Sequence, residues 1–165
     1  MIIHPPTVKL LIPLEVTWRK RIAGTLATLL GVEDGTPTPN IIVDLQYNSD
    51  ELGDPIINKH HAVALGLASY EEIDEMFAVA RRAGDLLSEL LHKAGIELVD
   101  MKLEFGRASD NGEIIISDEI SPDTCRMWDE QTGRRLDKDR FRLDLSDVVA
   151  SYKTVLERIE QLKLS

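Results

Sequence analysis

The stretch LVDMKLEFG, Leu98 to Gly106, constrains this chain more than any other. Side chains of a strand point alternately to its two faces. Asp100, Lys102 and Glu104 therefore share one face. Val99, Met101, Leu103 and Phe105 share the other, which must be the core side. ASDNG, Ala108 to Gly112, reads as a turn, and EIIISDEI, Glu113 to Ile120, as a returning strand. Together they predict an antiparallel hairpin. Two registers fit, with Asp118 opposite either Glu104 or Lys102. Both put Asp118 on the face of Glu104. Two carboxylates held together repel, and either Lys102 alone or a divalent cation offsets that. Hard oxygen ligands suit Mg²⁺, which takes one or two protein carboxylates and completes its shell with phosphate oxygens and water. A solvated face with a Lys–carboxylate network accounts for the same spacing.

The remaining elements surround this hairpin. Thr7 to Arg19 (TVKLLIPLEVTWR) is rich in β-formers, and Pro13 disfavours a long helix. A short helix is expected over Thr25 to Leu30, ended by Gly31. GVEDGTPTPN reads as a loop, IIVDLQY (Ile41 to Tyr47) as a strand, and NSDELGDPIIN (Asn48 to Asn58) as a polar loop. Ser69 with Glu72 forms a capping box for a helix whose apolar face carries Ile73, Met76, Phe77, Ala80, Leu87, Leu90 and Leu91. Gly95 stops it, and Gly84 weakens it by about 1 kcal/mol relative to Ala. A charged loop runs from Ser121 to Arg140. A last helix, from about Leu145 to Leu162, shows Val148, Val149, Tyr152, Val155, Leu156 and Ile159 as its stripe. Strands and helices mix without a regular βαβ repeat, so the fold class is α+β.

Composition narrows the function classes. The 165 residues suit one domain, 1–165, and the net charge is −10. That argues against a general nucleic-acid or membrane-surface binder. It leaves room for a local phosphate site built from a few arginines. Cys125 is the only cysteine, which fits a reducing, cytoplasmic setting. No apolar run approaches the roughly 18–20 residues of a membrane span, and MIIHPPTVKL lacks a signal-peptide pattern.

RKRIAGTL, Arg19 to Leu26, sets arginines ahead of a small-residue turn and a hydroxyl. It reads either as a phosphate site at Thr25 or as a helix cap flanked by surface arginines. In SPDTCRMWD, Asp123 and Arg126 can form a loop salt bridge, or belong to a site at a strand end. Cys125 has no evident base partner. The four histidines lack zinc-type spacing, and no Walker or dinucleotide glycine motif occurs.

IPLEVTWR, IAGTL, NSDELGDP, LVDMKLEFG, SDEISPDTCRMWD and LDKDRFR, in this order, resemble the SAICAR synthetase family over nearly the whole chain from about Lys9. That family ligates L-aspartate to CAIR in purine biosynthesis, using ATP and Mg²⁺, through an acyl phosphate. The resemblance implies that Glu104 and Asp118 hold Mg²⁺ and the ATP phosphates. It places Lys102 at the reacting centre, with Asp100 and Asp123 as substrate-pocket acids. Arg19, Thr25 and Arg126 would hold the CAIR 5′-phosphate. Asp54 would be an active-site aspartate, and Lys9, Leu10 and Leu11 would belong to the segment bordering adenine. The family usually has serine at the place of Thr25 and lysine at that of Asn48. The second change implies weaker nucleotide binding.

No stretch resembles the family's β-rich N-terminal lobe. The expectation is therefore the C-terminal substrate and Mg²⁺ lobe alone, an antiparallel sheet with packed helices. Its partners would be CAIR, L-aspartate and ATP, with a homo-oligomer or a separate N-terminal lobe as further possibilities. A non-catalytic protein that keeps the CAIR phosphate pocket is the alternative.

Overall fold

Strand β1 takes up Val8–Ile22 in the computed structural model, which describes residues 8–143 and 147–162. After it come α1 (Thr25–Leu30), β2 (Thr36–Tyr47), a 3-10 turn (Asp50–Leu52), β3 (Ile56–Ile57) and α2 (Lys59–Ala64). Then follow α3 (Tyr70–Lys93), β4 (Ile96–Ala108), β5 (Ile114–Ile116), β6 (Cys125–Asp129), α4 (Asp139–Arg142) and α5 (Val148–Leu162). The strands form one sheet in the order β3-β2-β1-β4-β5, with β6 also pairing with β4. β2–β3, β4–β5 and β4–β6 are antiparallel pairs. Sheet and helices together make an α+β fold.

The chain divides into two compact units. The first takes described residues 8–17, Val43–Ala80 and Lys102–Glu119, and the second takes the rest. In the first, Leu14, Val16, Ile73, Met76, Leu103 and Phe105 are buried. The α3 start is fixed by a reciprocal cap. The Glu72 amide donates to Ser69 Oγ at 3.2 Å, and the Ser69 amide donates to Glu72 at 2.8 Å. Glu72 also receives Arg107 at 2.6 Å.

In the second unit Trp18, Leu91, Ile96, Leu98, Val99 and Met101 are buried. Leu98 and Val99 are both inside because the β4–β6 register shifts between Leu98 and Asp100. A bulge breaks the period of two and lets apolar residues of both phases face inward. Gly84 has a packing reason: a Cβ there would stand 2.5 Å from the Trp18 ring.

Several expectations are corrected. Thr36–Asn40 is strand, not loop. Pro37 and Pro39 lie two apart, so their missing N–H groups fall on one side of the strand and leave the alternate positions free to pair. The Ser121–Arg140 stretch contains β6 and the start of α4. Leu90 on α3 and Val149 and Leu156 on α5 are exposed; the buried α5 residues are Ser151 and Val155. Leu145, the expected start of α5, lies outside the described residues.

Candidate active site

Lys102 leaves β4 in the first unit and donates to Glu15 Oε1 at 2.6 Å. Glu15 comes from β1, where Ile12, Leu14, Val16 and Trp18 occupy one alternation and Glu15, Thr17 and Arg19 the other. The Glu15 side chain is 3% exposed and that of Lys102 39%. Burial raises the Glu15 pKa against the pull of Lys102, and the charges of Asp54 and Glu104 add to the rise. Burial also opposes the Lys102 charge. Glu15, Glu104 and Asp54 outweigh it and hold the ammonium above the ordinary lysine range. One cation thus stands among three carboxylates. Asp54 has a left-handed backbone (φ 49°), which aspartate tolerates, and its Oδ1 accepts the Ser49 amide at 2.8 Å.

Neither expected hairpin register occurs. Phe105 pairs with Ile116 and Arg107 with Ile114, one residue away from both. β5 ends at Ile116, and Asp118 lies beyond it with Oδ1 accepting the Glu119 amide at 2.9 Å. The turn left between Ala108 and Glu113, whose backbone groups still pair, is intermediate between the two expected loops, and the next position opposite Glu104 falls to Ser117. Its amide donates to the Glu104 carbonyl at 3.0 Å, and its buried hydroxyl has no partner among the described residues. Among the described residues, no group of three or more His, Cys, Asp or Glu side chains is arranged to hold a metal. The one-residue shift overturns the expectation that Asp118 shares the face of Glu104, because adjacent strand positions point to opposite faces. Glu104 and Asp118 each offer the hard oxygen that suits Mg²⁺.

The second unit holds a charge cluster around Asp100, which is 4% exposed. Its Oδ2 accepts Arg19 Nη1 at 2.8 Å and Arg126 Nη1 at 2.7 Å. Arg126 also donates through Nε to Asp139 at 2.7 Å. Asp100 and Asp139 overcome burial and push the Arg126 pKa further up, so the guanidinium stays charged. Gly24 meets this guanidinium directly, and any Cβ there would collide with it. Thr25 follows as the first residue of α1 and is exposed. Of the two readings of SPDTCRMWD, the Asp123–Arg126 salt bridge does not form. Arg126 lies in β6 and is held by buried acids, while Asp123 accepts the Tyr152 hydroxyl at 2.6 Å. Burial pushes the Cys125 thiol up to about 12, which removes thiolate chemistry.

Leu10 and Leu11 of β1 are more than half exposed, and the Lys9 side chain lies outside the described residues. The structure therefore gathers Glu15, Asp54, Lys102 and Glu104 in one unit, and Arg19, Asp100 and Arg126 in the other. Glu15 and Asp139 were not expected. The signal for Glu15 was in the sequence, since Glu15, Thr17 and Arg19 alternate on β1 as Asp100, Lys102 and Glu104 do on β4.

A model of the SAICAR synthetase family matches residues 7–159. The chain belongs to the SAICAR synthetase family. It is 49% identical over 149 residues to the phosphoribosylaminoimidazole-succinocarboxamide synthase of Clostridium acetobutylicum, covering 90% of this chain and 63% of that one. To the synthase of Dichelobacter nodosus it is 50% identical over 152 residues, 92% of this chain and 63% of that one. The chain thus spans 63% of the length of these SAICAR synthetase relatives. Among solved structures, a SAICAR synthetase in complex with ADP matches with TM-score 0.86 and 49% identity, over 92% of this chain and 64% of that one. The synthase of Ehrlichia chaffeensis gives TM-score 0.89 at 37% identity, over 93% and 65%. Among the described residues of this family member, no helix is long and apolar enough to cross a membrane.

Proposed function

We propose that this chain carries the CAIR and Mg²⁺ part of a SAICAR synthetase site, acting in purine biosynthesis as an ATP-dependent carbon–nitrogen ligase. The reaction joins L-aspartate to CAIR and releases ADP and phosphate. The CAIR carboxylate attacks the γ-phosphate, and the aspartate amine displaces phosphate from the acyl phosphate. Such chemistry needs positioning and charge neutralisation more than acid–base work.

The observation that carries the reading is the Lys102 ammonium, fixed by a buried Glu15 among Glu104 and Asp54. A fixed cation there meets anionic oxygens without reorganising. Mg²⁺, when bound, would neutralise the phosphate oxygens, held by Glu104 and Asp118. Arg126 and Arg19, with the Thr25 hydroxyl, would take the CAIR 5′-phosphate. Asp100, held by both arginines, and Asp123 would line the substrate side. Lys9, Leu10 and Leu11 would border the adenine. The kinship to a SAICAR synthetase solved with ADP supports nucleotide use.

Calorimetric titration of CAIR into the purified chain tests the reading. Saturable binding that Lys102→Met leaves in place and Arg126→Met weakens by about tenfold or more is expected. Absence of CAIR binding overturns it.

A further inference from the structure

The Arg126 guanidinium is held by more than its direct partners. Its Nε donates to Asp139 Oδ2, and the same oxygen receives Arg135 Nη1 at 3.3 Å. Arg135 turns its Nη2 to Asp34 Oδ2 at 2.6 Å. The other oxygen of Asp34 accepts the Gly24 amide at 2.7 Å. Gly24 in turn lies against the Arg126 guanidinium, where no side chain fits. The chain of contacts closes into a ring: Arg126, Asp139, Arg135, Asp34, Gly24 and back to Arg126.

The ring is anchored from outside. The Arg135 guanidinium stacks on Trp128, 5.2 Å from the ring centroid. Gly35 leaves the room Trp128 occupies, since a Cβ there would stand 2.5 Å from the indole. Asp34 is therefore part of a turn docked on an aromatic ring, although its side chain is 39% exposed. Burial works against its charge. Arg135, the Gly24 amide and the charge of Arg126 outweigh that and lower its pKa. One edge of the Arg126 guanidinium remains uncommitted: Nη2 makes no hydrogen bond among the described residues and faces Gly24.

We infer that Asp34, Arg135 and Asp139 are positioning residues that set the Arg126 guanidinium and the Gly24 turn at one fixed distance, so that Nη2 and the turn together receive a phosphate. The inference rests on the functional reading above for its ligand, a ribonucleotide 5′-phosphate. None of the three needs to touch that phosphate. Each acts by denying Arg126 and Gly24 the freedom to move apart, which makes the anion site pre-formed rather than assembled on binding.

The test compares wild type with Asp34→Asn and Arg135→Gln, both partly exposed positions, by calorimetry of CAIR and of CAIR lacking its 5′-phosphate. Nitrogen-15 relaxation of the Arg126 Nε–H group in the free chain is the ligand-independent readout. Each variant is expected to weaken CAIR by about tenfold, to leave the dephosphorylated compound unchanged, and to raise Arg126 side-chain mobility. Equal weakening of both ligands, or unchanged Arg126 mobility, overturns the positioning role while leaving the functional reading intact. A wild-type chain that binds neither ligand overturns the functional reading, and the phosphate assignment with it.

Discussion

Lys102 Nζ lies 2.6 Å from Glu15 Oε1, and the carboxylate is buried while the lysine reaches toward solvent. The pair is asymmetric. Removing the lysine strands a buried acid, whereas removing the acid leaves a half-exposed ammonium. Lys102→Met is therefore expected to lower stability by about 2 kcal/mol and Glu15→Gln by less. The double variant should lose less than the sum. Urea unfolding of the four proteins checks this as a double-mutant cycle. Additive losses would mean that the two groups do not interact.

Gly84→Ala is expected to destabilise despite the better helix propensity of alanine. Propensity offers about 1 kcal/mol, and forcing a methyl against Trp18 costs about 1–3 kcal/mol. Thermal unfolding decides between them, and a higher midpoint would show that Trp18 moves aside freely.

Asp137 is 1% exposed and both its oxygens accept amides, from Met127 at 2.7 Å and Asp139 at 2.8 Å. Burial nevertheless moves its pKa up from 3.8 to about 6. Between those values the folded state holds more protons than the unfolded one, so its contribution to stability falls as pH rises through that window. Asp137→Asn should flatten that slope. It should also lower stability by about 1–3 kcal/mol, because an amide nitrogen would face a backbone N–H. Unfolding free energies of both proteins across this range are the measurement.

Asp129 has the opposite sign. The Thr132 hydroxyl and then Arg158, at 2.6 Å, lower its pKa from 3.8 to about 2. The stability it supplies is complete above the unfolded pKa and is lost as pH falls through about 2. Asp129→Asn should therefore weaken the chain at neutral pH and blunt its acid sensitivity. Acid titration followed by circular dichroism, on variant and wild type, reads both effects.

The parts of the fold legible in the sequence were those set by local rules. Ser69 and Glu72 are three apart and cap α3 as such a pair does. The alternation of β4 placed Lys102 and Glu104 correctly as partly exposed, with Leu103 and Phe105 inside. What failed depended on partners distant in the chain. The hairpin register was missed by one residue because turn length, not side-chain pattern, sets it. Pro37 and Pro39 masked a strand because proline content reads as loop, although two prolines spaced by two remove donors from one side only. The alternation of Glu15 with Thr17 and Arg19 was visible, but the partner of Glu15 was not, since Lys102 lies 87 positions away. For Arg126, nearness in sequence offered Asp123 as one possible partner, while its partners are Asp100 and Asp139.

The central claim is that one unit binds the CAIR phosphate and the other the metal–nucleotide phosphates. Calorimetry of CAIR and of Mg²⁺–ADP on Arg126→Met and Glu104→Gln tests it most directly. Arg126→Met is expected to weaken CAIR by about tenfold or more and to spare Mg²⁺–ADP, and Glu104→Gln to do the reverse. Loss of both ligands in both variants, or of neither, would contradict a division of labour between Arg126 and Glu104.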